Sequence, residues 1–327
     1  MSQSESGPDR PGKRLRKREA IATEQTLDTS GTDSLLPTSD PFADRYGGTG
    51  WRRETGDSVA HGVAVRSEIA ANDSDSLWRA LVEHRLLTRL AGPLAGECFA
   101  DVLAQWEEHL SALAPRSDWE QAAVVPRPSR DPAGSAELLR HAFAPVRVLA
   151  VRPADRLAAP GPATQPGVRI RPAEPADLDT AVALSLRLQR YDAQFGLVTL
   201  RPNVEGLLRE ALSEELRCGE PTVWLAELYG RPLGLLRIQF PPGTAWISPF
   251  VAVDRVGYVA SLHVDEAARS SGVGGALAAH AHQLFDEAGV EAALLHHALP
   301  NPTSTPFWYA QGYRPLWTYW YRRPAVR

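Results

Sequence analysis

The chain has 327 residues, 43% of them hydrophobic and 23% charged, with a formal net charge of −4. This is the composition of a globular protein with room for one large domain or two ordinary ones. So even a charge balance offers no broad basic surface to nucleic acid or anionic lipid, and no apolar run nears the roughly 20 residues that a bilayer span needs. Cys98 and Cys218 lie far apart and match no metal spacing; both are expected to be reduced, buried thiols, with no metal, in a cytoplasmic protein without a secretory signal.

Residues 1–50 are rich in Ser, Thr, Asp, Gly and Pro with no helical or strand period, and are expected to form a disordered, solvated tail in which Lys13 and Lys17 sit among arginines. Folded segments are predicted at 51–153 and 168–327, joined by the Pro/Gly/Ala linker "ADRLAAPGPATQPG" at 154–167. The two segments resemble each other. Residues 122–152 can be laid on residues 292–322 without a gap, at a constant offset of 170. Both stretches read as an apolar strand, a Pro-rich turn, a short helix, an aromatic-x-Pro corner and a second strand. That is the mark of a duplicated unit.

In the second segment, "GVRIRPAEPADL" predicts a strand followed by a helix capped at Asp177, and a second helix spans "NVEGLLREALSEELRCG" with Gly219 as its stop. A hairpin turns at Tyr229-Gly230-Arg231-Pro232. A strand ending at Val264, a helix from about 272 to 288, a strand at "VEAALLHH", a short helix around Phe307 and a last strand at "PLWTYWYRR" complete a β-α-α-β-β-β-α-β-α-β order. The fold class is α/β.

Between the strand ending at Val264 and the next helix stands "RSSGVGG". A glycine turn at a helix N-terminus offers unpaired N–H groups and the positive end of the dipole, and an absent Cβ lets a phosphate approach the backbone. A phosphate loop of the Gly-x-x-x-x-Gly-Lys type needs a lysine that is missing, and a dinucleotide fingerprint needs a glycine at Leu277. The spacing present is Arg-x-x-Gly-x-Gly: Arg269, Ser270, Ser271, Gly272, Val273, Gly274. With "SLHVDEAA" before it, this resembles the pyrophosphate loop of the GNAT-type N-acetyltransferase superfamily. "NPTSTPFWYAQGYRP" resembles that family's downstream motif, with Asn301, Ser304, Gly312 and Tyr313 in register.

The resemblance covers about 168–325. It implies a mixed, mostly antiparallel sheet flanked by helices, preceded by a smaller partial α/β repeat of the same kind. It also implies acetyl-CoA as co-substrate and a small-molecule or peptide amine as acceptor. Main-chain N–H groups from Ser270 to Gly275 would cradle the CoA pyrophosphate. The main chain of Leu262, His263 and Val264 would pair with the pantetheine arm and polarise the thioester carbonyl, and Asn301 would hydrogen-bond the same arm. An Asx turn before Pro302 is the structural reading of Asn301.

The chain departs from the family where chemistry matters most. Neutralising an amine of pKa ~10.4 at pH 7 costs about 4–5 kcal/mol, yet the position where the family commonly places a Glu or His is Tyr258. His296 is the other relay candidate; His297 points to the opposite face, and His263 alternates away from Tyr258. The family's usual general-acid tyrosine falls on Trp308, with Tyr309 beside it. A thiolate leaving without an acid forgoes only about 2 kcal/mol, so the change would slow the reaction without abolishing it. "RYDAQFG" with Asp192, and Trp246, Trp317, Tyr319 and Tyr321, either line an acceptor pocket or fill the core. In the first segment "RLAGPLAGECF" carries Pro93, Asp131 stands at the position of Asn301, and Leu138 at that of Trp308. That half is expected to be a degenerate buttress. The expected function is acetyl transfer from acetyl-CoA to a primary amine. Two alternatives stay open: a tandem acetyltransferase of small-thiol biosynthesis, similar in layout to mycothiol synthase, and a non-catalytic acyl-CoA sensor.

Overall fold

The structure is a computed structural model that describes residues 32–37, 48–154 and 165–327. In the first half, strands β1 (Gly50–Thr55), β2 (Ser58–Glu68) and β3 (Val82–Ala91) precede helix α1 (Ala95–Leu113), then β4 (Gln121–Pro128), α2 (Ser135–Arg140) and β5 (Ala144–Pro153). The second half runs β6 (Val168–Pro172), α3 (Leu178–Asp192), α4 (Val204–Glu215), β7 (Val223–Leu228), β8 (Arg231–Gln239), β9 (Val256–Val264), α5 (Val273–Glu287), β10 (Ala292–Ala298), α6 (Ser304–Ala310) and β11 (Arg314–Arg322). This is the order that the periodicity predicts. The β7–β8 hairpin turns on Tyr229 and Gly230 at φ 49° and 78°, the primed turn whose twist matches that of its strands.

The strands form one sheet in the order β1-β2-β3-β4-β11-β5-β10-β9-β8-β7-β6. Only β3–β4 and β9–β10 are parallel; the other pairings are antiparallel. Each half therefore gives its last strand to the other: β11 lies beside β4, and β5 beside β10. The register carries the duplication. Val148 pairs with Thr318, its own equivalent at an offset of 170, and Ala144↔Tyr321 and Val151↔Arg314 exchange places about that pair. Likewise Arg147↔Ala298 on one side answers Pro128↔Trp317 on the other.

Helices α1 and α2 cover the back face of the first half, closing Phe99, Leu103, Trp106 and Leu138 onto Leu86, Ala123 and Val125. Helix α5 and the aromatic residues of α6 do the same in the second half, where Leu277, Ala281, Phe285 and Trp308 pack on Leu236, Ile238, Val259 and Leu295. Each such side chain fully removed from water contributes about 1.5–3 kcal/mol. On the front face, α3 and α4 pack on β7 and β8 through Val182, Leu184, Leu212, Leu225 and Leu235.

Four expectations change. Residues 32–37, part of the stretch expected as disordered, are packed: Leu36 is buried with Val251 and Trp317, and the Asp33 carboxylate takes both Arg314 Nη atoms. These partners are remote in sequence, so local composition did not reveal them. Residues 1–31 and 38–47 of the tail, and linker residues 155–164, lie outside the described residues, whereas Gly50 already begins β1. Asp177 does begin α3, but its carboxylate binds Arg171 and the Glu174 N–H instead of capping that helix. Cys98 is buried as expected, whereas Cys218 is exposed just beyond α4.

The fourth change concerns His263. The β8–β9 register slips between Arg237↔Ser261 and Ile238↔Val259, a bulge that leaves Ala260 unmatched. One extra residue reverses the alternation beyond it. His263 pairs with Leu235, a front-face residue, and so shares the face of Tyr258 instead of alternating away from it.

Candidate active site

The start of α5 is held open by its own backbone. Gly272 adopts φ 84° as N-cap, with no side-chain capping bond, and Ser270 is also left-handed at φ 63°. A Cβ on Gly272 would come within 2.5 Å of the Gln165 side chain. Gly274 has no left-handed dihedral; a Cβ there would stand 3.4 Å from Phe307 and 3.6 Å from Val264, in contact with both α6 and β9. The first N–H groups of a helix have no partner within it, so Val273, Gly274 and Gly275 present donors at the positive end of the dipole. Arg269 stands beside them, its guanidinium 5.1 Å from the Tyr191 ring and 3.4 Å from Glu266. A cavity of about 410 Å³ opens there, lined by Arg187, Arg190, Tyr191 and Gln194 of the α3 segment and by His263, Asp265, Glu266 and Arg269.

From this loop the two parallel strands part. Strands β9 and β10 pair only from Ala292↔Val256 to Leu295↔Val259, so the β9 main chain from Ala260 to Val264 faces the gap without a ladder partner on that side. Buried side chains at the gap are also unsatisfied. Ser261 Oγ, His263 Nε2 and His297 Nε2 have no hydrogen-bond partner among the described residues, an arrangement that costs free energy unless a ligand or water completes it. Burial lowers the His263 pKa to about 4, with Arg269 and Arg187 adding to the effect, so the ring is neutral at pH 7.

Where the strands part, two of the sequence candidates meet. Tyr258 Oη and His296 Nδ1 share a hydrogen bond of 2.9 Å. Trp246, half-exposed, stands at 5.0 Å from the Tyr258 ring and 6.4 Å from that of His296, and Tyr319 closes the other side at 5.8 Å from His296. Burial raises the Tyr258 pKa to about 12 against the pull of Arg147. Burial first, then the Arg147 charge, hold the His296 ring well below its ordinary value. A neutral imidazole bonded to a neutral phenol can take up a proton and pass one on.

Asn301 is buried at the start of α6. Its Oδ1 accepts from Thr303 N, Thr303 Oγ1 and Ser304 N, each at 3.0 Å, and its side chain also hydrogen-bonds Asp192. The Asx-turn reading thus describes its geometry. Burial raises the Asp192 pKa to about 6, opposed by Asn301 and Arg147. Trp308 packs in the back-face core against Phe307 and Tyr313, at 4.9 and 5.2 Å between rings. Tyr309 meets the edge of His297 at 5.6 Å, and Leu262 and Val264 turn their side chains to the back-face core. Trp317 is core, its Nε1 donating to Phe250 O, whereas Tyr319 and Tyr321 are half-buried on the front face. Sequence reading missed Arg147 and Ser261. Arg147 lies in the first half and reaches this site only because β5 is exchanged; Ser261 faces forward only because of the bulge.

A duplicated α/β unit with a parted parallel strand pair and an open, glycine-built helix start defines the class: a protein with the acetyltransferase fold. Residues 195–313 match the model of the acetyltransferase (GNAT) family, and this part of the chain is a GNAT domain. A GCN5-related N-acetyltransferase from Sphaerobacter thermophilus is similar over 83% of this chain and 82% of its own, at 16% identity and a TM-score of 0.53. Another, from Kribbella flavida, is similar over 83% and 88%, at 16% identity and a TM-score of 0.44. The first likeness extends the same fold through the N-terminal half. No curated protein matches the chain. Among the described residues no helix is long and apolar enough to cross a membrane.

Proposed function

We propose that the protein transfers an acetyl group from acetyl-CoA to a primary amine, with a single acetyl-CoA site, built on the second half. The observation that carries this reading is the uncapped start of α5 opening onto a parted strand pair whose buried polar atoms, Ser261 Oγ, His263 Nε2 and His297 Nε2, lack partners. The N–H groups of residues 270–275, with Arg269, would hold the diphosphate. The free β9 edge at Leu262–Val264 would take the pantetheine arm as an added strand, and the Asn301 side chain lies at the start of α6 beside that arm.

The amine nitrogen, neutral, attacks the thioester carbon; the C–N bond forms, the C–S bond breaks and CoA leaves as thiolate. A main-chain N–H beside the bulge at Ala260 would stabilise the oxyanion. The proton shed by the amine passes to the Tyr258–His296 pair and on to water. The burial of Tyr258 and the half-buried His296 beside it disfavour an ammonium there and so offset part of the cost of deprotonating the acceptor. With Trp308 in the core, the thiolate takes its proton from water, or from Tyr309 on the same helix.

Calorimetry with acetyl-CoA and thiol release with an amine panel test the reading. One acetyl-CoA per chain and amine-dependent release of CoA are expected. Binding with no release across the panel would instead favour an acyl-CoA sensor.

A further inference from the structure

The front face beside Tyr258 and His296 holds a guanidinium, that of Arg147, with no carboxylate at ion-pair distance among the described residues. Arg147 of β5 pairs across the ladder with Tyr319, so both point to this face, and its guanidinium lies 6.0 Å from the Tyr321 ring. It donates to Trp78 O, but its buried Nε has no partner among the described residues. Glu83, which accepts from Tyr321 Oη, is buried and already shared by Arg85 at 2.6 Å and Arg79 at 3.3 Å. Asp192 is engaged by Asn301. Arg79, Arg85 and Arg147 thus all draw on Glu83, with Asp75 also acting on Arg79 and the more distant Asp192 on Arg147, so that Arg147 is the one of the three without a direct ion pair among the described residues, on a half-buried surface where charge is poorly screened. The remaining side chains there, Tyr258, Tyr319 and Tyr321, are phenols that burial keeps neutral, so they donate hydrogen bonds without cancelling the charge.

The register sets the geometry. His296 pairs with Leu149, two residues from Arg147 on the same face, which puts His296 and Arg147 on a diagonal of about 7–8 Å. A molecule whose amine stands at Tyr258–His296 therefore reaches Arg147 within a few bonds.

We propose that the acceptor is an amine bearing a carboxylate, and that Arg147 binds the carboxylate while Tyr258 and His296 face the amine. Arg147 is here a specificity-determining residue supplied to the second half's site by the first half. The inference rests on the acetyltransferase reading and narrows its acceptor to amino acids in the wide sense, α-, β- or γ-.

The test compares kcat/KM, by CoA release, for glycine, β-alanine and γ-aminobutyrate with their carboxamides, and with taurine and phosphoethanolamine. A carboxamide lowers the amine pKa and supplies more neutral nucleophile, so intrinsic reactivity favours the amide. At least one free acid should nonetheless exceed its amide by more than about tenfold, and Arg147→Met should bring that ratio near one while Arg147→Lys retains part of it. The wild-type ratio needs no variant to fold. Amides used as well as acids would overturn the carboxylate assignment and leave the acetyltransferase reading standing, and a preference for the sulfonate or phosphate amine would do the same. No CoA release with any amine would remove both.

Discussion

The two halves of the chain share one fold and differ in what fills it. Each has a parallel pair that parts at its end, followed by a helix entering from the loop. In the first half the protein closes both openings itself. Ser58 Oγ accepts from Leu94 N at the start of α1, and Gly92 packs against the same serine. Arg127 reaches from β4 to Thr88 of β3 at 3.1 Å and is tied to Asp131, spanning the gap with a buried guanidinium. The positions equivalent to Arg127 and Asp131, at the offset of 170, are His297 and Asn301. There neither side chain reaches across to β9: Asn301 is held in its own Asx turn, and His297 Nε2 has no partner among the described residues. Strand β3 is also regular, pairing with β2 from Val59↔Ala91 to Glu68↔Val82 without a shift, whereas β9 is bulged. The two halves thus differ at this place by a few side chains and one inserted residue on a common scaffold.

The sharpest way to break this comparison is a matched pair of substitutions. Gly274 and Gly96 are both the second residue of their helices. Gly274→Glu should weaken acetyl-CoA binding by more than about a hundredfold, since a carboxylate would stand where the diphosphate is proposed to bind. Gly96→Glu, with open space around its Cβ, should leave calorimetric affinity unchanged. Equal effects would mean that the halves are not divided as described.

Tyr258→Phe should lower kcat by roughly ten- to a hundredfold with acetyl-CoA affinity unchanged; an unaltered kcat would take the Tyr258–His296 pair out of the chemistry. Arg127→Ala should cost about 2–3 kcal/mol in urea melts, because Asp131 and Thr88 lose their partner. Its calorimetric stoichiometry should stay at one. A value of two would show that the plug alone silences the first half.

Stability should also fall in acid. His263 and His282 have folded pKa values near 4 and 3, both lowered by burial from 6.5. The unfolded chain therefore binds more protons below 6.5, and the stability present above that pH is lost as pH drops toward the folded values, by about 2–3 kcal/mol for each ring between pH 7 and 4.5. A flat profile would mean that these rings are hydrated. The smallest effect is expected from Trp308→Tyr, a core substitution that should change kcat less than about threefold. A hundredfold loss would give the tryptophan a role of its own.

What the sequence determined by itself was local. Periodicity set the element order, the glycines marked where an anion would be met, and the offset of 170 exposed the duplication. Tyr258 was legible as a candidate because the resemblance puts it where the family commonly has a Glu or His, and His296 as a titratable group near the end of the next strand. That they share a hydrogen bond was not legible. The tertiary structure decided the rest: the exchange of β5 and β11, the face of Ser261 and His263, the burial of Leu36, and the presence of Arg147 beside a site built on the other half. The reason is physical. Side-chain direction on a strand depends on counting residues through every bulge, and neighbours in a sheet are fixed by pairings between strands more than a hundred residues apart, neither of which a local pattern encodes.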